Sequence, residues 1–348
     1  MKGKTLLLAL LFLIMFTVPF FAMGANSQSK AGNSGSTSSA KQNAPPKQSV
    51  SSAGSTAPQP QASTAGFKIL DASSGSILNV DDRSFLYGAI VSEMSPTAPA
   101  EALKAQGVAA YTYYSRLRSK ERKNPNPALS GADFSADTQN WQIYVSKEQM
   151  QTRWGNDFDN YYSKLTQIVD AVQGQVLESG GELIDATYFA ISSGQTEASE
   201  DIWGGKRTYL ISVASPGDQF AGGFQTTVAL SSDQFKSAAL KAAPKADLNA
   251  DPSKWIGEIK RTAAGSVTSM NVGGVSVTGN AARNAFGLRS ANFTVSFADG
   301  KFIFLVKGYG HGVGMSQAGA EYMANQGSDY KQILAWYYPN TTLKSTNT

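Results

Sequence analysis

Residues 84–123 read SFLYGAIVSEMSPTAPAEALKAQGVAAYTYYSRLRSKERK, and the break inside this stretch sets the start of the fold. Phe85, Leu86, Ala89 and Ile90 recur at helical spacing; Met94-Ser95-Pro96 then interrupts the pattern, because the residue before a proline is pushed out of the helical region. A helix therefore ends close to Glu93. Proline suits a first helical turn, so a second helix starts after Pro99 and runs to Lys123, with Leu103, Ala110, Tyr114 and Leu117 on one stripe. A third is expected over 161–172, through Leu165, Ile168, Val169 and Val172.

C-terminal to these helices the periodicity shortens. QVLESGGELIDATYFAI (175–191) places two β-prone runs around Gly180-Gly181, which signals a hairpin. EIKRTAAGSVTSMNVGGVSVTG (258–279) and FTVSFADGKFIFLVKGYG (293–310) alternate apolar and polar positions between glycine turns, as antiparallel strands do. Two short helices close the chain, Gln317–Asn325 and 331–338, the second with Ile333, Trp336 and Tyr337 inward. The expected class is α+β, a single domain over 67–348 with N-terminal helices and antiparallel strands.

N-terminal to it, Met1-Lys-Gly-Lys4 precedes an apolar run of 18 residues (6–23), with Ala22 and Gly24 flanking a cleavage point near Ala25. Segment 1–24 is read as an export segment, either a cleaved signal peptide or an anchor retained in the membrane. Residues 25–66 are Ser, Ala, Gln, Gly and Pro with almost nothing to bury, the composition of a flexible, disordered linker.

The 348 residues are 41% hydrophobic, enough for a sizeable core. Five lysines and no acid fall in residues 1–66, leaving 25 basic against 26 acidic residues over 67–348. A near-neutral fold lacks the positive field that a phosphate backbone calls for, so nucleic acid is not an expected partner. The chain has no cysteine, which excludes disulfides, thiolate nucleophiles and cysteine-ligated zinc. It has one histidine, His311, so a Ser-His-Asp triad or a two-histidine metal motif would have to be built around that single imidazole.

The segment GYGHGVGMSQAGAEYMANQG (308–327) alternates four glycines with Tyr309, His311 and Val313. Such a run brings backbone close to a ligand, or simply turns a strand into a helix; it lacks the Gly-Lys-Ser/Thr ending of a phosphate loop. Together with LYGAIVSEMSPTAPAEALKAQGVAAYTY (86–113), YFAISSGQTEASEDIWGGKRTYLISVASPGD (188–218) and ARNAFGLRSANFTV (282–295), it resembles the stage II sporulation protein D and amidase-enhancer family of bacterial cell-wall proteins. The four blocks recur in the family's order and cover most of residues 84–343.

That resemblance implies an extracytoplasmic protein, membrane-anchored or secreted to the cell wall. It also implies a lytic transglycosylase acting on peptidoglycan glycan strands stripped of their stem peptides, in sporulation or wall remodelling. The catalytic acid is then Glu93, in Ser92-Glu93-Met94-Ser95-Pro96, where Ser95 interrupts the family's Glu-Met-Pro pattern. One carboxyl group protonates the glycosidic oxygen and afterwards deprotonates the C6 hydroxyl of the same sugar, without the paired acids of ordinary glycosidases. A place at a helix C-terminus, walled by Phe85, Leu86, Val91 and Met94, would raise its pKa.

Substrate contacts are expected from Ser192, Ser193, Gln195, Thr196 and Trp203 in the second block, and from His311, Ser316 and Gln317 in the fourth. Each has a plainer structural reading: Ser and Thr satisfy local backbone, Trp packs in a core, and His311 is a hydrogen-bonded structural histidine. No cofactor and no metal is expected: some members bind zinc through cysteine and histidine near the second block, and this chain has no cysteine, with Phe189 and Ala190 in that vicinity. Many members also have an arginine where this chain has Tyr111, a cation expected beside the acid, and a basic residue at the place of Gln195. The alternative is a non-catalytic glycan-binding enhancer of a cell-wall amidase. A hydrolase would need a second carboxylate, for which Glu197, Glu200 and Asp201 are the candidates.

Overall fold

The computed structural model describes residues 66–345; the export segment 1–24 and the linker expected over 25–66 lie outside the described residues, apart from Gly66. The chain begins with β1 (Phe67–Asp71) and β2 (Ile77–Val80), then α1 (Asp82–Glu93), α2 (Ala100–Lys123) and β3 (Phe134–Ala136). Next come α3 (Lys147–Trp154), α4 (Phe158–Val172), the hairpin β4 (Gln175–Ser179) and β5 (Glu182–Leu183), β6 (Tyr188–Phe189) and α5 (Ser199–Trp203). A second stretch holds β7 (Gln225–Ser231), α6 (Ser232–Ala242), β8 (Ile256–Arg261), β9 (Val267–Val272), β10 (Val275–Thr278), α7 (Gly279–Ala285), β11 (Phe293–Ala298) and β12 (Lys301–Lys307). The chain closes with β13 (Met315–Ser316), α8 (Gln317–Asn325), α9 (Tyr330–Tyr337) and β14 (Thr342–Ser345). The class is α+β, with β1–β2, β8–β9–β10, β11–β12–β7 and β14–β4–β5 paired antiparallel.

Two hydrophobic cores form within the described residues, which make one compact unit. The first surrounds α2, which is buried on nearly every side from Ala102 to Ser115. A helix that is apolar all round belongs inside, and small residues let its neighbours come close. At Gly107 an added Cβ would sit 3.0 Å from Ile90 Cδ1, so the glycine sets how closely α1 packs on α2. The returning C-terminus completes this core with Val313, Met315, Ile333, Leu334, Tyr337 and Tyr338. The second core is an aromatic stack between β12 and α6, where Phe235 and Phe302 lie 3.8 Å apart between ring centres.

The helices ending at Glu93 and starting after Pro99 stand where the pattern placed them, and the Gly180-Gly181 hairpin forms. Three features differ. Strands β1 and β2 precede the first helix, although β2 presents only Val80 as a fully buried residue. Strand β14 returns to pair with β4. In α9, Trp336 is 48% exposed and not inward. At 100° per residue it lies roughly 130° from the middle of the face formed by Ile333, Leu334, Tyr337 and Tyr338, and its indole N–H reaches the Ala214 carbonyl at 2.8 Å.

Candidate active site

Glu93 is the last residue of α1. Met94 follows in extended conformation (φ −131°, ψ 148°), its N–H closing the helix on the Ile90 carbonyl at 3.0 Å. The loop to α2 is held from outside: Lys164 Nζ of α4 donates to the carbonyls of Pro96 at 2.8 Å and Ala98 at 2.6 Å, and the Ala98 N–H bonds the Ser95 carbonyl. The acid therefore sits between a helix end and a pinned turn. Phe85, Leu86, Val91 and Met94 are all buried, as the apolar pattern predicts.

The side chain of Glu93 is partly buried and has no ion-pair partner among the described residues. Gln317 Nε2, at the start of α8, lies 3.4 Å from Glu93 Oε2 and also 3.4 Å from Oε1 of Gln106 on α2. Tyr114 and Tyr188 are the titratable neighbours, and burial keeps both phenols protonated. Burial pushes the Glu93 carboxyl up to about 7, against the small opposing pull of the Gln317 amide. The carboxylate also stands at the negative end of the α1 dipole, which disfavours ionisation in the same sense.

The other residues singled out in the sequence gather elsewhere. Asp218 is a fully buried carboxylate that accepts from the Ser192 N–H at 2.6 Å and from the hydroxyls of Ser316 and Ser215; Ser215 in turn meets the Tyr337 hydroxyl at 2.6 Å. Ser316 also caps α8 through the Gly319 N–H. The buried Thr196 accepts from the Val213 N–H at 2.9 Å. The Ser192 hydroxyl accepts the Gly194 N–H at 3.1 Å, so the hydroxyls of Ser192, Thr196 and Ser316 are all used within the fold. Ser193 donates to the Ala264 carbonyl at 3.4 Å, and the exposed Gln195 donates to Ser212 at 2.7 Å.

His311 accepts the Val313 N–H at Nδ1 at 3.1 Å. Burial, with Arg283 nearby, lowers its pKa to about 4, so the imidazole is neutral. Its ring faces Phe189 and Trp203, with centres 5.5 and 5.2 Å away. Ser192, Ser193, Gln195 and His311 line a shallow, partly open pocket with Glu197 and Lys307, whereas Gln317 lies against Glu93, which does not line that pocket. Glu197 is 2% exposed, with Oε1 accepting the Ser266 N–H at 3.2 Å, while Glu200 and Asp201 are solvent-exposed on α5.

Position 111 does not face the acid. The Tyr111 hydroxyl bonds Asp82 at 2.9 Å, beside the Arg118–Asp82 ion pair. Asp82 opens α1 and Glu93 ends it, roughly 16 Å apart along the axis at 1.5 Å per residue. An arginine in place of Tyr111 would join the start of α1, so the expectation of a cation beside Glu93 is corrected. The residue that sequence reasoning missed is Gln106, fully buried on the stripe of Leu103, Ala110 and Tyr114. A lone amide on an otherwise apolar face was the available signal.

The stage II sporulation protein family model matches residues 72–178. The chain is 31% identical over 288 residues to stage II sporulation protein D of Bacillus subtilis (strain 168), covering 82% of this chain and 81% of that protein. It is 33% identical over 276 residues to stage II sporulation protein D of Bacillus amyloliquefaciens, with 79% and 77% covered. It is also similar to the amidase enhancer of Bacillus subtilis (strain 168), 28% identical over 311 residues, covering 75% of this chain and 40% of that protein.

Proposed function

The chain belongs to the stage II sporulation protein D family, and from that premise we propose that it is a lytic transglycosylase that cuts peptidoglycan glycan strands with Glu93 as its single acid and base. The observation that carries the reading is one carboxyl group whose protonation is poised at about 7, on which no other carboxylate among the described residues acts. A general acid works best when its pKa lies near the operating pH.

In the proposed step the Glu93 O–H gives its proton to the oxygen of the glycosidic bond between a muramic acid residue and its neighbour, and the C1–O bond breaks. The C6 hydroxyl of the same muramic sugar attacks C1 and passes its proton to the Glu93 carboxylate, which restores the acid. No water is consumed, and the product ends in a 1,6-anhydro ring. A second carboxylate at the spacing glycosidases use for water activation or a covalent intermediate is not required. The pocket of Ser193, Gln195 and His311, with Trp203 against the imidazole, supplies polar and aromatic surface suited to flanking sugars.

Export through segment 1–24, as signal peptide or membrane anchor, and tethering through 25–66 would place the domain of 67–348 outside the cytoplasmic membrane, where strands stripped by an amidase are its substrate. The similarity to an amidase enhancer over 75% of the chain favours one second reading, a glycan-binding partner of a cell-wall amidase that cuts nothing. Incubating stripped strands with the full chain or with Glu93→Gln separates the two. The transglycosylase releases soluble fragments and the variant loses at least about a thousandfold in rate. Strands that stay intact yet sediment with both proteins support the enhancer.

A further inference from the structure

Gln106 is fully buried, and its Nε2 has no hydrogen-bond partner among the described residues, while its Oε1 faces Gln317 Nε2 at 3.4 Å. The same Gln317 nitrogen faces Glu93 Oε2 at 3.4 Å. This arrangement serves a carboxylate: one amide donor bridges two acceptors, and the cost is an orphaned buried NH₂ group on α2. A protonated Glu93 keeps a carbonyl acceptor but gains an O–H donor, and where that O–H lies on the oxygen facing Gln317 the NH₂ group there cannot accept it.

We propose that Gln106 and Gln317 form a two-amide switch that gives Glu93 a hydrogen-bond partner in both of its protonation states. When Glu93 is protonated, Gln317 turns over about its terminal torsion and accepts the carboxylic O–H at Oε1. Gln106 turns with it and donates Nε2 to that same Oε1. Terminal amide torsions are broad and nearly two-fold, so the exchange changes neither shape nor packing. The orphaned group then becomes the Gln106 carbonyl, which tolerates isolation better than a buried N–H. The pair thus favours the acid form while still serving the carboxylate. Gln106 is a positioning residue that acts through Gln317, and the proposal rests on Glu93 being the working acid.

The titratable groups facing Glu93 are Tyr114 from α2 and Tyr188 from β6, both neutral phenols; α8 contributes the Gln317 amide, and no cation acts on the acid among the described residues. The switch is read without substrate, in the full chain, by following the labelled Glu93 carboxyl carbon and the glutamine side-chain amides by NMR across pH 4–9. In the wild-type chain the Gln106 and Gln317 amide resonances move with the same midpoint as Glu93. In Gln106→Met, which removes both the bias and the orphaned group at similar volume, the Glu93 midpoint falls by about one pH unit. A Gln106 amide resonance that stays flat through the Glu93 titration overturns the switch, and so does an unmoved midpoint in a folded Gln106→Met. Because neither readout needs strand cleavage, a switch that works in a chain that cuts nothing would count against the transglycosylase alone.

Discussion

Glu93 holds a proton that an unfolded glutamate would have lost: burial pushes its carboxyl up to about 7 in the fold, against 4.5 for a glutamate in water. Between those values the folded chain binds more protons than the unfolded one, so stability from this group is complete below about pH 4.5 and is lost as pH rises through 7. Urea unfolding of the full chain and of Glu93→Gln from pH 4 to 8 should show the wild type losing of order 3 kcal/mol relative to the variant. A constant difference would contradict the buried acid. Strand cleavage should fall as pH rises beyond about 7, where the acid has ionised. His311 runs the other way, since burial lowers its folded pKa to about 4, below the 6.5 of an imidazole in water. Its contribution is present above about pH 6.5 and is lost as pH falls through 4, and its Cε1–H resonance should stay flat from pH 8 to 5.

At the scale of elements, the site depends on two chain reversals. The Met94–Pro99 turn is held by Lys164, a cation whose pKa burial lowers and whose donors go to two carbonyls. Lys164→Met should cost about 1–2 kcal/mol of stability but slow cleavage by tenfold or more, measured on the same preparation, because the turn sets where the carboxyl points. The glycine run 308–314 is the second reversal, with φ of 78°, 116°, 84° and 86° at its four glycines. At Gly314 an added Cβ would meet the Thr187 carbonyl at 2.0 Å, so Gly314→Ala should destabilise by about 3 kcal/mol or more in thermal unfolding. Both reversals were legible: Pro96 marks one and the spaced glycines the other. The helices around Glu93 were legible because their apolar periodicity is strong. Strand β2 was not, since three of its four residues lie at or near the surface and carry no alternation. Nor was the role of Gln106, because a single amide among Leu103, Ala110 and Tyr114 reads as packing until Gln317, 211 residues away, is brought against it.

For the whole molecule, the two cores divide the labour. The first, built around α2, carries Glu93, Gln106 and Gln317; the second, from Phe235 to Val306, carries the third sequence block and reaches the first through Glu197 and Ser266. Phe302→Ala in the second core should cost about 3–5 kcal/mol while leaving the Glu93 midpoint where it is, because the titration depends on groups of the first core. The near-neutral aggregate charge of residues 67–348 gives no strong positive field of the kind a nucleic-acid backbone calls for, and the resemblance read from four ordered blocks holds over most of the chain. The most direct test of the account is mass spectrometry of the ends left on peptide-stripped glycan strands after incubation with the full chain, with Glu93→Gln as control. The account predicts 1,6-anhydro-muramic acid ends that disappear in the control. Reducing ends, or no new ends at all, would contradict it.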